Sequence, residues 1–348
     1  MTLRLTTTVA FLPLALLHPI AARPAAPTYS PALRGDFPDP YVLPVGGRYL
    51  AYATNPDRGG INVQMAVSRD LVNWQRLRDG SKPHDAMPTL PPWAQRGFTW
   101  APEVTRVGDG YVLYFTARDR KSHLQCIGAA KASDPTGPFV SDAAAPLVCQ
   151  TELGGSIDPD PFRDADGSVI LYFKNDGNNA DFRKATHIFA QRLSPDGLSV
   201  VGEPAFLLAN DAAWEGAVIE APTMVSRGGR YYLFFSGNDY GWTEPRQPVS
   251  PYAIGYALCR SAVGPCVAAP ENPILSSRNS PGACLSGPGH QSVFSVGPKD
   301  FIAFHAWSAS PSCHLFDPYR NLYVAPLDWV NGRPVIGTSL RAPAMFSR

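Results

Sequence analysis

FPDPYVLPVGGRYLAYAT, residues 37–54, joins a Pro-flanked acid, a Gly-Gly turn and an aromatic-rich run, and that order decides the fold. It returns as WAPEVTRVGDGYVLYFTAR (100–118), IDPDPFRDADGSVILYFKN (157–175), IEAPTMVSRGGRYYLFFSG (219–237) and GPGHQSVFSVGPKDFIAFHAW (287–307). A unit recurring at intervals of roughly 60 residues, with several short strands per copy, marks a β-propeller, because one blade cannot bury both faces of its sheet until neighbours stack on it. Five copies predict an all-β fold, a five-bladed β-propeller with four antiparallel strands per blade.

The rest of the chain fits that frame. Period-2 runs predict ten strands, from residues 49–54 and 63–68 through 301–306 and 322–327, and helical periodicity of any length is missing. Gly46-Gly47, Asp166-Gly167, Gly228-Gly229 and Asn331-Gly332 accept the positive φ of tight hairpin turns. A second element, as in SRDLVNWQRL from Ser68, SDPTGPFV from Ser133, SPDGLSVVGEP from Ser194 and LDWVNGRP from Leu327, follows the third strand of a blade and would lead into its outermost strand. Pro-rich stretches at 81–93 and 240–252 predict rim loops, which in propellers shape the pocket mouth.

The repeat leaves no room for a second core in 348 residues, so residues 27–348 are expected to form a single domain. Residues 1–26 carry Arg4, an apolar stretch from Leu5 to Leu17 and then small residues, the pattern of a secretory signal peptide and lead-in. That stretch is too short to cross a bilayer, so a secreted or periplasmic location with no membrane span is expected. Thirty basic and 29 acidic residues, without a basic stripe, argue against nucleic acid as a partner. Nothing calls for a second subunit, and a monomer is expected.

Export frames the cysteines. Six allow 15 full pairings, and the sequence alone does not choose among them. Nearest-neighbour pairing is expected: Cys126 with Cys149, Cys259 with Cys266 across a Gly264-Pro265 turn, and Cys284 with Cys313. No zinc-ligand spacing is present.

If the innermost strand of each blade begins with the variable residue of the repeat, Asp39, Asp158, Glu220 and His290 all approach one funnel. Three carboxylates around a common cavity suit acid and base chemistry. Glycosidic cleavage with inversion needs one protonated carboxyl at the leaving oxygen and one ionised carboxylate to activate water. Glu220 sits among Ile219, Ala221, Pro222 and Met224, which predicts a raised pKa, reinforced by a neighbouring Asp158. Rivals exist: Asp160 also precedes Pro, Glu215 also lies beside an aromatic and a Gly, and Glu103 would point off the axis as an ordinary salt-bridged acid.

The ordered motifs DFPDP (36–40), WAPEV (100–104), SIDPDPFRDADG (156–167), IEAPTM (219–224) and GPGHQSVF (287–294) resemble glycoside hydrolase family 43, five-bladed propellers acting on arabinose- and xylose-containing polysaccharides. The resemblance covers essentially the whole chain after its first residues. It implies Asp39 as general base, Glu220 as general acid and Asp158 as the carboxylate that tunes and holds the acid. It also implies that Arg320 reaches a sugar hydroxyl. Trp100 is read as a flat stacking floor for a sugar ring. His290 would face a central calcium or sodium ion, no cofactor being required for the chemistry. The implied activity is that of an inverting hydrolase of plant cell-wall polysaccharide, an α-L-arabinofuranosidase or arabinanase. A β-xylosidase of the same family, or a non-catalytic carbohydrate-binding propeller, is the alternative.

Overall fold

The computed structural model describes residues 29–56, 60–179, 181–242, 249–279, 284–310 and 313–340. Residues 1–26, where a signal peptide is expected, lie outside these residues, as does part of the 240–252 stretch.

Each repeat folds as one blade, and the five blades form the predicted propeller. Blade 1 comprises Tyr41–Val45, Arg48–Ala53, Gln64–Ser68 and Trp74–Arg76, hydrogen-bonded in chain order. Blade 3 (Ser156–Arg163, Val169–Asn175, His187–Leu193, Val200–Ala209) and blade 4 (Ile219–Arg227, Arg230–Gly237, Ala253–Cys259, Cys266–Ala268) repeat that meander. Blade 5 adds Gly289–Val296, Lys299–Ala309, Leu315–Val330 and Arg333–Ile336. Blade 2 has three strands, Ala94–Val107, Gly110–Asp119 and Gln125–Ala132, and two isolated bridges, Lys131 to Val140 and Ile127 to Val148, stand where its fourth would run. Both chain ends close on blade 5, where the Ala32 N–H donates to Leu322 O and the Leu340 N–H to Val324 O.

Alternation turns one face of each sheet to the preceding blade and the other to the next, so the apolar residues gather in five clusters, one per blade junction. Tyr52 and Met65 of blade 1 meet Val104, Leu113 and Phe115 of blade 2, and Phe37 and Ala51 meet Phe294 and Val324 of blade 5. Buried tyrosines tie four of the five junctions at the rim. Their hydroxyls donate to backbone carbonyls in the next blade's outer turn: Tyr52 to Pro135, Tyr114 to Gly197, Tyr172 to Ala262 and Tyr232 to Gly332. The recurrent Ser/Asp/Pro/Gly turns are thus receivers for these hydroxyls as well as hairpin connections.

The cysteines pair as nearest neighbours, Cys126–Cys149, Cys259–Cys266 and Cys284–Cys313. Among the described residues no helix is long and apolar enough to cross a membrane.

Candidate active site

Near its start, the inner strand of each blade places one residue in the left-handed region: Asp39 (φ 55°), Ala101 (44°), Asp158 (59°), Ala221 (52°) and His290 (48°). None is glycine, and this conformation costs an L-residue roughly 1–2 kcal/mol. A ring of hydrogen bonds supports it. In four blades the residue's N–H donates to a side chain on the second strand of the preceding blade: Ala101 to Thr54 Oγ1 (2.9 Å), Asp158 to Thr116 Oγ1 (3.1 Å), His290 to Ser236 Oγ (2.8 Å) and Asp39 to His305 Nδ1 (3.1 Å).

Blade 3 breaks the pattern. Its second-strand residue is Lys174, whose ammonium cannot accept a hydrogen bond. The Ala221 N–H donates instead to Asp158 Oδ2 (2.9 Å), and Lys174 Nζ turns to Glu220 Oε2 (3.2 Å) and Asn178 Oδ1 (2.7 Å). This corrects the expected equivalence of the axial residues. Asp39, Asp158 and His290 occupy the left-handed position, whereas Glu220 precedes it, at the register of Trp100 in blade 2 and Ile157 in blade 3. A one-residue bulge follows in each of these strands, which re-aims the side chain at that register.

Asp39, Asp158 and Glu220 line a single axial cavity of about 660 Å³, and Trp100, His290 and Arg320 line it too. The six residues given a site role from the sequence therefore lie on the walls of the same cleft.

Asp39 is 8% exposed and surrounded by donors. Thr54 Oγ1 donates to its Oδ2 (2.5 Å) and Arg320 Nη1 to its Oδ1 (3.1 Å), with His290 Nδ1 at 3.3 Å from Oδ1, while His305 Nδ1, 3.2 Å from Oδ1, accepts the Asp39 N–H. Burial pushes its carboxyl up, but Arg320, His290 and His305 outweigh burial and hold it well below the usual carboxylate range. Asp39 is thus held ionised. Arg320 is anchored on Asp39, with its guanidinium 5.0 Å from the Tyr240 ring centroid, as well as facing the cavity.

Glu220 differs from expectation. Burial does oppose its charge, yet Lys174, His290 and the Tyr252 hydroxyl hold it below its ordinary value. Both carboxylate oxygens receive donors, Tyr252 Oη at 2.7 Å and Lys174 Nζ at 3.2 Å, so the ionised form is the one this geometry satisfies. Of the two, Asp158 is the one that favours its proton: its carboxyl is lifted to about 6 by burial and then by the charge of Glu220, against the pull of His290 and Lys174. The apolar neighbours of Glu220 in sequence hid a cation supplied by another blade.

The rivals take other places. Asp160, in the same strand as Asp158, lies behind the wall and accepts the Met224 N–H (2.9 Å). Glu103 does leave the axis, but it is no surface ion pair: it is 8% exposed and hydrogen-bonded to Asp160. Burial and the Asp160 charge push it well above the normal range, so it carries the pair's proton. Glu215 caps a short 3-10 turn, its Oε2 accepting the Asp211 and Ala212 N–H groups. None of the three lines the cavity.

Two further site residues escaped the sequence reading. His305 is 1% exposed, stacks on Tyr252 with centroids 5.7 Å apart, and is kept neutral by burial, which takes it down to about 4. It bridges Asp39 to the Tyr252 that holds Glu220. The signal was present in FIAFHAW, where an imidazole interrupts an apolar strand; nothing marked Tyr252. The expected ion at His290 finds little support in the donor set. Among the described residues no group of three His, Cys, Asp or Glu side chains is placed to hold a metal ion, and a hard cation prefers oxygen ligands. No step below passes through a cation.

A propeller with acidic groups facing one another across an axial cleft is the architecture of a glycosidase, and similarity to known proteins agrees. The family model for glycosyl hydrolases family 43 matches residues 28–334, and the chain belongs to that family. It is 29% identical to the β-D-galactofuranosidase xynD of Aspergillus niger, over 84% of this chain and 82% of that one. It is 26% identical to the extracellular exo-α-(1→5)-L-arabinofuranosidase ArbA of Cellvibrio japonicus, over 79% and 80%. Among solved structures, a thermostable family-43 glycoside hydrolase superposes with a TM-score of 0.73 at 29% identity, covering 91% of this chain and 98% of that one.

Proposed function

We propose that the protein is an exported inverting glycosidase of furanosidic bonds, with α-L-arabinofuranosides as the first substrate class. The observation that carries this reading is the division of labour in the cavity. Asp39 is held ionised, while Asp158, raised by burial and by the charge of Glu220, lines the same cleft as Glu220. In the reaction, Asp39 takes a proton from a water whose oxygen attacks the anomeric carbon. The bond to the leaving oxygen breaks on the opposite face, and that oxygen takes the proton of the Asp158–Glu220 pair through Glu220. Arg320, Thr54 and His305 fix the base, and Tyr252 and Lys174 fix the acid. Trp100 offers its ring face to the sugar.

The furanoside preference draws on the two relatives above, one named for galactofuranosides and one for arabinofuranosides. β-D-Galactofuranose and α-L-arabinofuranose present the same ring configuration and differ in the exocyclic chain. β-Xylosidase action is the second reading, since the chain is also 28% identical to a xylan 1,3-β-xylosidase from a Vibrio species. A non-catalytic propeller is disfavoured, because all three acids share the cavity. Export is favoured by the three disulfides, by the extracellular Cellvibrio relative and by the leader pattern at residues 1–26.

Turnover of nitrophenyl α-L-arabinofuranoside, β-D-galactofuranoside and β-xyloside, with the first-formed anomer followed by proton NMR, tests this. Release of the inverted furanose is expected. A retained anomer, or cleavage of the xyloside alone, would contradict it.

A further inference from the structure

Between blades 2 and 3 the cavity wall carries polar side chains that the catalytic set does not use. Gln125 opens the third strand of blade 2, lines the cavity and is 4% exposed. Among the described residues neither its Oε1 nor its Nε2 has a hydrogen-bond partner. Arg118, its register partner on the adjacent strand, also lines the cavity, with its guanidinium 4.3 Å from the Phe98 ring centroid and its buried Nε unpartnered among the described residues. Asp176, just past the second strand of blade 3, is 8% exposed and lines the same wall, and no hydrogen bond from a described residue reaches its carboxylate.

The fold brings these groups together through Gly155. Gln125 bridges Gly155, and the Asp176 N–H donates to Gly155 O (3.1 Å). A Cβ on Gly155 would lie 2.3 Å from Gln125 O, so only glycine lets the two blades meet this closely. Asn178 and Asn179 complete the rim, and Asn178 has spent its Oδ1 on Lys174, leaving its amide hydrogens to donate.

Unpaired buried polar groups cost about 1–3 kcal/mol each, and native interiors pair nearly all of them. Gln125 Oε1 and Nε2 and Arg118 Nε are such groups, and with the Asp176 carboxylate on the same wall they offer donors and acceptors to a polyhydroxylated ring. The wall lies on the acid's side of the cleft: Asp176 is close enough to Lys174 and Glu220 to feel both charges. We propose that Arg118, Gln125 and Asp176 form a subsite for the sugar on the leaving side of the scissile bond. This rests on the hydrolase reading for its orientation, though its power to bind sugar does not.

The experiment compares Gln125→Leu and Asp176→Asn with the unaltered protein on arabinotriose and on nitrophenyl α-L-arabinofuranoside, whose leaving group has no hydroxyls. The ratio of kcat/KM for triose over nitrophenyl glycoside should fall about tenfold or more in each variant. An unchanged ratio in both would overturn the subsite and leave the hydrolase reading standing. If the unaltered protein cleaves neither compound, the hydrolase reading fails. Calorimetry with arabinotriose and xylotriose then decides the subsite alone: binding about tenfold weaker in the variants supports it, and equal binding overturns it. Gln125→Leu should also melt no lower than the unaltered protein, because it removes a group with no internal partner. A clear loss of Tm would show that Gln125 is held by the protein and overturn the assignment.

Discussion

Lys174 and Glu220 form a buried ion pair, Nζ to Oε2 at 3.2 Å, and the lysine side chain is 0% exposed. Lys174 stands where the other blades carry Thr54, Thr116, Ser236 and His305, which accept a backbone N–H. One exchange of an acceptor for a cation thus redirects Asp158 to Ala221 and brings a positive charge onto the acid.

Lys174→Met is accordingly expected to shift the alkaline limb of the kcat/KM profile to higher pH, since a cation this close disfavours the protonated form of Glu220. Lys174→Arg should restore most of the original limb. A limb unmoved by Lys174→Met would show that the ammonium does not set the protonation of the pair.

The unaltered enzyme should work best under mildly acidic conditions. The active form needs Asp39 ionised and one proton on the Asp158–Glu220 pair. Asp39 is held well below the usual carboxylate range, so activity persists as pH falls through about 4. Asp158 titrates at about 6, so kcat/KM declines as pH rises through that value. A profile still climbing at pH 8 would refute this placement of the proton.

Gly289 stands in blade 5 at the register of Glu220, and a Cβ there would lie 2.1 Å from Tyr252 Cε1. Gly289→Ala should push the ring that holds Glu220 and lower kcat by about tenfold or more. The circular-dichroism spectrum should be nearly unchanged. Full activity would mean that Tyr252 does not position the acid.

Glu103 makes a stability prediction. Its folded pKa is raised, so its contribution is complete below the unfolded value near 4.3 and is lost as pH rises toward the folded one. Glu103→Gln keeps a donor toward Asp160 and cannot ionise. Its Tm advantage over the unaltered protein should therefore grow between pH 5 and pH 8, as thermal melts would show. A constant difference would mean that the carboxyl is ionised in the fold.

The blades and the axial placement of Asp39, Asp158, Glu220 and His290 were legible because they follow from local order: acid, turn, strand, at a fixed spacing. The partners of those acids were not. Lys174 reaches Glu220 across 46 residues, and His305 reaches Asp39 across 266, so neither pairing leaves a local pattern. The bulge that puts Glu220 one place before the left-handed residue is likewise a matter of register between two strands. Glu103 differs for a related reason: the expected salt-bridge partner is replaced by Asp160, a second acid from the next blade, which raises its pKa in the interior.

The division of roles between Asp39 and Glu220 is best tested by Glu220→Gln on two arabinofuranosides, arabinobiose and the 2,4-dinitrophenyl glycoside. A poor leaving group needs the acid and a good one does not. Arabinobiose cleavage should fall by about 10²–10⁴-fold and dinitrophenyl cleavage by far less. Equal losses on both substrates would contradict the assignment of Glu220 as the proton donor.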